Sequence, residues 1–347
     1  MKKKSLSAKK TRHKKILHNL KEKKISQIYK NFEIFISKEI KEKSFGVAVS
    51  GGADSLSLAF LSKCLSLKKK FKVKFFIVDH KLRKNSSNEA VKVKLLLNKF
   101  GIKSKILNWN GKKPKSNIQS VAREKRYLLL NNACKIDKIK NILLGHHADD
   151  RNENFFIRLI RGSGLKGLVS LNKSSYNNSL KIKILRPLMD LKKKDLTFIS
   201  KKVFNFYVKD PSNNNEDFQR IRVRKLINNL EKEGLDKNKI ELTINNLQSS
   251  DETIRHYVEK NIKNNSLYLK NQNKFILKLK FFDEPIDVSF RSISKILLLI
   301  SGRYYSPRGK SILSLISNIK SKNFSKATLG RCFIEKINET VLITREN

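Results

Sequence analysis

Phe45-Gly46-Val47-Ala48-Val49-Ser50-Gly51-Gly52-Ala53-Asp54-Ser55 is the stretch on which the fold turns. Its first half is a short apolar run and its second half a Gly-Gly turn. Residues 54–67 then repeat apolar side chains at helical spacing through Leu56, Leu58, Ala59, Leu61 and Leu65. A strand, a glycine turn and a helix are thereby predicted in succession. The alternation continues downstream. An apolar run over 73–78 closes on Asp79-His80, and helical spacing follows over 88–100. Strand-like runs at 104–107 and 141–144 alternate with helical patterns over 117–133 and 149–160. Strands separated by helices of this length predict an α/β fold with a parallel sheet wrapped by helices. The chemistry of such sheets lies in loops at the carboxyl ends of the strands.

Past residue 190 the alternation stops. Residues 218–230 and 240–262 are predicted helical, and 267–279 form a hairpin around Asn271-Gln272-Asn273. Two further helices are expected over 291–300 and 311–319, then a closing hairpin over 327–344 that turns at Asn338-Glu339. The second half is therefore a helical segment followed by a small α+β module.

Of the 347 residues, 77 are Lys or Arg and 30 are Asp or Glu, a formal net charge of +47. Such a charge favours a polyanionic partner, either nucleic acid or an anionic membrane surface. Biased composition explains the same number without any binding face. Residues 1–30 hold twelve basic residues and one acid, so the charge runs through the body as well as the start of the chain. Cys64, Cys134 and Cys332 are scattered singletons, which argues against a disulfide framework or a zinc ribbon and for a reducing, cytoplasmic compartment. No apolar run is long enough to span a bilayer. The basic residues 1–15 lead into no long apolar segment and are expected to form a solvated arm, not a secretory signal.

Residues 50–55, Ser-Gly-Gly-Ala-Asp-Ser, carry the strongest chemical signal. Two glycines admit a ligand close to the backbone, and the serines and the N–H groups of the new helix suit phosphate oxygens. Asp54 suits a Mg²⁺ that neutralises the phosphate. No lysine closes the loop, which separates it from the GxxxxGK pattern. A plain glycine turn with an aspartate cap would need only part of this pattern. The second cluster, His146-His147-Ala148-Asp149-Asp150-Arg151-Asn152-Glu153, again stands where a strand runs into a helix. Asp150 and Glu153 are three residues apart and share one face of the first turn, suiting an ammonium group or a metal ion. First-turn acids that complement the helix dipole give the same pattern. His147 has no companion cluster at ligand spacing, so zinc is not expected. Arg220, Arg222 and Arg224, and likewise Arg123 and Arg126, are either a solvated face or phosphate contacts.

In order along the chain stand residues 50–55, Val78-Asp79-His80-Lys81-Leu82-Arg83 with Ser86, Ala122-Arg123 with Arg126-Tyr127, and residues 147–153. Residues 161–168, Arg186-Pro187-Leu188 and Asp210-Pro211-Ser212-Asn213 follow. The first of these resembles the PP-loop of N-type ATP pyrophosphatases, and the whole set resembles the tRNA(Ile)-lysidine synthases. The likeness covers about residues 45–225. It weakens beyond, where Thr328-Leu329-Gly330 and Thr344-Arg345-Glu346 are similar to the family's terminal module. Asn154 and Ile221 depart from the family pattern, which has Thr at the first and Asn at the second.

The resemblance implies a Rossmann-like PP-loop ATPase domain. It implies ATP-dependent attachment of free L-lysine to carbon 2 of the wobble cytidine in the CAU anticodon of tRNA(Ile), through an adenylated intermediate. A PP-loop tRNA thiolase and a non-catalytic basic RNA-binding protein are the rival readings. On this reading Ser50, Gly51, Gly52, Ala53, Asp54 and Ser55 bind ATP and Asp54 holds Mg²⁺. Asp150 and Glu153 hold lysine; Asp54, Arg123, Asp150 and Glu153 form the catalytic set; Arg126, Arg220, Arg222 and Arg224 contact tRNA. No membrane and no protein partner are required. The implied domains are a basic arm over 1–40, the ATPase/ligase domain over 41–225, a helical tRNA-binding segment over 226–265 and a small α+β domain over 266–347.

Overall fold

The computed structural model describes residues 11–83, 85–111, 114, 118–177, 180–208, 218–303, 306–321 and 323–346. The Asp210-Pro211-Ser212-Asn213 turn and Asn117 lie outside them. The chain divides into two compact units, Met1–Ile240 and Glu241–Asn347.

The first unit is built on a six-stranded sheet of β1 (Ser44–Ala48), β2 (Lys72–Asp79), β3 (Ser104–Asn108), β4 (Asn141–Leu143), β5 (Ser174–Asn177) and β6 (Ile182–Leu185), in the order β3-β2-β1-β4-β6-β5. Every pairing is parallel except that of β5 with β6. The alternation predicts four of the five parallel strands and misses β6, where Lys181-Ile182-Lys183-Ile184 breaks the apolar run. It does not reveal β5, whose sequence Ser-Ser-Tyr-Asn lacks an apolar run because the strand lies at a partly exposed edge. β4 is buried along its whole length, as are Phe45, Gly46 and Val47 of β1. Strands covered on both faces need unbroken apolar runs, which is why these two were legible.

The helices connecting the parallel strands are α2 (Ala53–Lys69), α3 (Ser86–Lys99), α4 (Ile118–Ile136) and α5 (Ala148–Ile160). The short α6 (Leu165–Leu168) follows α5. The short α6 and two longer helices escape the sequence reading. α1 (Lys23–Glu39) lies within the segment expected as a basic arm. It places Ile25, Ile28, Tyr29, Phe32 and Ile36 on one face, at a spacing of three and four residues, and buries them in the same core as α2. α7 (Lys193–Phe204) buries Leu196, Ile199 and Val203 there too, and Ser57 Oγ of α2 donates to the Leu196 carbonyl at 2.8 Å. Surplus lysines on the outward faces of both helices mask their apolar stripes in the sequence. α8 (Gln219–Lys232) closes this series, and the unit boundary falls within α9 (Lys237–Asn265).

The second unit holds a five-stranded antiparallel sheet, in the order β7 (Ser266–Leu269), β8 (Lys274–Lys278), β11 (Thr340–Arg345), β10 (Cys332–Ile337) and β9 (Lys326–Thr328). Phe275, Leu277, Ile334, Val341 and Ile343 alternate along the strands onto one face. There they pack with Ile293 and Ile296 of α10 (Ile286–Ser301) and Ile312 and Ile316 of α11 (Gly309–Lys320). Both expected hairpins form, with Asn273 and Asn338 in the left-handed conformation that asparagine tolerates. Asp251 of α9 is fully buried, its two oxygens bound by Arg291 and Arg255.

Candidate active site

The strand order places β2 on one side of β1 and β4 on the other. Loops leaving β1 and β4 thus diverge and open a crevice at the carboxyl ends of the strands. Residues 50–55 line one side of that crevice, and residues 146–153 the other. Gly145, at the end of β4, lies so close to α2 that a Cβ there would sit 3.2 Å from the Ser55 nitrogen. The two loops therefore share one cleft of about 1280 Å³, lined by Gly52, Asp54, His147, Asp150, Glu153 and Arg126 among others.

The first loop is held from within. Gly51 has φ +92°, and a Cβ there would meet Val93 at 2.5 Å, so the position excludes any side chain. Ser55 Oγ accepts from the Ser50 and Gly51 amides, each at 3.1 Å, and donates to the Gly52 carbonyl at 3.0 Å. Ser55 thus shapes the loop, while Ser50 is exposed toward solvent. No side chain caps α2 at Gly52, which leaves its first-turn N–H groups for a ligand at the positive end of the helix.

Acidic groups gather opposite. Asp54 accepts two contacts from Lys193 Nζ, at 2.6 and 2.7 Å, and lies 3.8 Å from His147 Nε2. His147 is buried, with Asp150 Oδ2 at 3.5 Å from Nε2 and Asp149 Oδ2 at 3.6 Å from Nδ1. Asp150 Oδ2 also accepts the His147 amide at 3.1 Å in a capping box, and Asp149 Oδ2 accepts the Lys193 amide at 3.1 Å. Asp150 therefore caps α5, Asp149 caps α7, and both line the cleft. Burial alone would raise the Asp150 pKa, but His147, His146 and Arg220 hold it below the usual carboxylate range.

Glu153 is buried, and two of the α8 arginines, Arg220 and Arg224, reach it. Arg224 binds it through Nε and, at 3.3 Å, through Nη2, while Arg220 Nε lies 3.1 Å from Oε2. Arg220 also approaches Asp150 at 4.0 Å. Even so, burial pushes the Glu153 carboxyl up. Arg222, on the intervening turn of α8, is exposed and makes neither contact, so the structure brings two of the three arginines to the acids. Ile221, where the family pattern has Asn, is buried in the core. Asn154, where it has Thr, donates to Ser170 Oγ at 3.2 Å.

A cationic wall lies beyond Asp150. Arg123 is exposed, stacks over the Tyr127 ring at 5.2 Å and donates to its hydroxyl at 3.1 Å. Arg126 lines the cleft, and its pKa is lowered, chiefly by burial. Arg186 donates to the Asn172 carbonyl at 2.8 Å and to Ser175 Oγ at 3.0 Å. Burial, with these arginines nearby, pushes His146 down to about 3. Asp79 and His80, at the end of β2, also line the cleft, and Ser87 Oγ and the Lys81 amide hold the Asp79 carboxylate at 2.5 and 2.9 Å.

Lys193 is a cleft residue to which sequence reasoning assigned no role. One lysine among 77 cations carries no local signal, and only the docking of α7 on α2 brings Lys193 to Asp54. The donor set suits Mg²⁺ bound largely through phosphate: a single carboxylate, Asp54, stands beside the open N-terminus of α2. Among the described residues no group of three or more His, Cys, Asp and Glu side chains is arranged to hold a metal unaided, and a phosphate-bound Mg²⁺ requires none. The three cysteines are buried in three different cores, away from the cleft. Among the described residues no helix is long and apolar enough to cross a membrane.

This fold and loop define an ATP-using protein of the PP-loop class, and a family model described as a PP-loop domain matches residues 17–231. A tRNA(Ile)-lysidine synthase of Orientia tsutsugamushi is 34% identical over 330 residues, covering 91% of this chain and 72% of that protein. One from Wolbachia pipientis wMel is 32% identical over 305 residues, 87% of this chain and 70% of its own. A solved U34-tRNA thiolase of Methanococcus maripaludis shares the fold at a TM-score of 0.53 and 22% identity, covering 65% of this chain and 80% of its own. The chain belongs to the tRNA(Ile)-lysidine synthase family.

Proposed function

We propose that the protein ligates L-lysine to carbon 2 of the wobble cytidine in a CAU-anticodon tRNA(Ile), with ATP converted to AMP and pyrophosphate in the cytoplasm. The observation that supports this most directly is the juxtaposition, in one cleft, of an uncapped PP-loop helix and the acids Asp54, Asp149, Asp150 and Glu153. In the first step the cytosine O2 attacks the α-phosphorus of ATP, and the bond to the pyrophosphate oxygen breaks. The α2 amides and Lys193 take up the charge growing on the departing pyrophosphate. When bound, Mg²⁺ held by Asp54 neutralises the phosphates.

In the second step the lysine ε-amine attacks carbon 2 as the free base, the C2–O2 bond breaks, and AMP leaves with the oxygen. The amine surrenders a proton to the carboxylate of Asp150 or Glu153 as the C–N bond forms. Asp150 and Glu153 supply the negative charge that selects lysine over neutral amino acids. Arg123 and Arg126 hold phosphate or the tRNA backbone, and the α8 arginines add to the cationic surface beside the cleft. The target base lies in a single-stranded loop, so little pairing has to be broken to reach it.

The test is transfer of labelled lysine to a CAU-anticodon tRNA(Ile) transcript in the presence of ATP, with elongator methionine tRNA, which shares that anticodon, as the control. Label is expected in the isoleucine transcript alone, with pyrophosphate released only when tRNA is present. Label in neither RNA, under conditions where the protein binds both, would falsify the assignment.

A further inference from the structure

Both acids read as the lysine site already have partners within the chain. Arg224 grips both oxygens of Glu153, while Arg220 reaches Glu153 Oε2 and points to Asp150. A guanidinium and an alkylammonium are alternative counter-ions for the same carboxylate, so lysine meets an occupied site. Glu153 cannot simply lose its arginines, because a buried carboxylate stripped of its partners is strongly destabilised. Replacement of one cation by another avoids that cost. The two arginines are well placed for such an exchange, since their side chains are 44% and 39% exposed while their heads sit on the acids. One turn of α8 carries them together, four residues apart, so both can leave as a unit.

Resting on the reading of Asp150 and Glu153 as the lysine-holding acids, we propose that Arg220 and Arg224 are specificity-determining plugs that exchange carboxylate for tRNA phosphate as lysine enters. The lysine amine takes the place that the guanidinium groups leave, and the guanidinium groups gain the phosphodiester backbone. The acid cluster then stays neutralised throughout. Binding of the two substrates is linked by this exchange, and linkage is reciprocal: tRNA tightens lysine binding by the same factor as lysine tightens tRNA binding. Free lysine is thereby kept out of the cleft until the RNA that is to receive it has docked.

The test is equilibrium dialysis of labelled L-lysine against the full-length chain without ATP, with and without the CAU-anticodon tRNA(Ile) transcript. The native protein is expected to bind lysine roughly 5-fold or more tightly when the transcript is present, within the range usual for coupled sites. Arg220→Gln is expected to bind lysine without RNA more tightly than the native protein does and to respond less to RNA, and Arg220→Gln combined with Arg224→Gln is expected to bind it about as tightly as the native protein does with RNA and to lose the response. Arg220 is half-exposed, so the single variant tests the exchange even where the double variant fails to fold, which a thermal melt would reveal. A folded Arg220→Gln protein whose lysine affinity is unchanged or weaker overturns the plug. Asp150→Asn separates this failure from that of the underlying reading. If Asp150→Asn abolishes lysine binding while Arg220→Gln does nothing, only the exchange is wrong; if Asp150→Asn leaves lysine binding intact, both are wrong.

Discussion

Lys193 Nζ sits 2.6 and 2.7 Å from the two carboxylate oxygens of Asp54, although 139 residues separate them in the chain. The contact joins the first turn of α2 to the first turn of α7, and it sets a cation at the edge of the residue 50–55 loop. Lys193→Ala is therefore expected to slow tRNA-dependent pyrophosphate release by roughly 100-fold, the scale of losing one donor to a developing oxyanion. A rate within a few-fold of the native protein in a pyrophosphate-release assay would remove Lys193 from the phosphate site.

Asp150→Asn keeps the size of the side chain and removes its charge. tRNA binding in a filter assay should be preserved, whereas lysine incorporation should be lost. The amide still has an oxygen to accept the His147 amide, so α5 keeps its cap and the thermal midpoint should shift little. Undiminished lysine incorporation would take Asp150 out of the lysine site.

Gly51→Ala forces a Cβ to within 2.5 Å of Val93 at a φ of +92°. The left-handed conformation alone costs of order 1–3 kcal/mol, and the clash adds to it. Because the loop is what deforms, ATP binding should weaken more than the unfolding midpoint falls. Calorimetric titration of ATP together with a melt measures both, and equal ATP affinity in the variant would show that the loop tolerates the side chain.

Asp251 ties Arg291 to Arg255 inside the second unit, and its carboxyl is held below the ordinary range by those arginines in spite of burial. A depressed folded-state pKa means stability that is present above the unfolded value of about 3.9 and is lost as pH falls through the folded value. Asp251→Asn should cost on the order of 3 kcal/mol at neutral pH, since it leaves the buried Arg291 with the half-exposed Asp287 as its remaining counter-charge. The variant should also flatten the acid limb of a urea-unfolding series, and an unchanged limb would assign acid sensitivity to other carboxylates.

Burial pushes the thiols of Cys64 and Cys134 up to about 12 and that of Cys332 to about 11. The native protein at pH 8 should therefore take up almost no iodoacetamide within an hour, while urea-unfolded protein takes up three equivalents. Rapid alkylation of the native chain would mean that one of these cores opens readily.

The sequence by itself determined the parallel sheet and the two chemically loaded loops. Strands buried on both faces must be apolar throughout, and the Gly-Gly loop and the Asp150–Glu153 spacing are local patterns that a chain cannot scatter. It also determined both hairpins of the second unit, through turn asparagines at the bends. It did not reveal α1 or α7, whose apolar stripes are interrupted by lysines that remain solvated in the fold, or the strands β5 and β6. Nor did it show how the site's charges pair. Lys193 on Asp54, and Arg220 and Arg224 on Glu153, are contacts between residues 139, 67 and 71 apart in the chain. In a chain of 77 cations no local signal marks which few will meet an acid. Only the packing of α7 on α2, and of α8 on α5, decides it, because a carboxylate buried by that packing must take as partner whichever cation the same packing delivers.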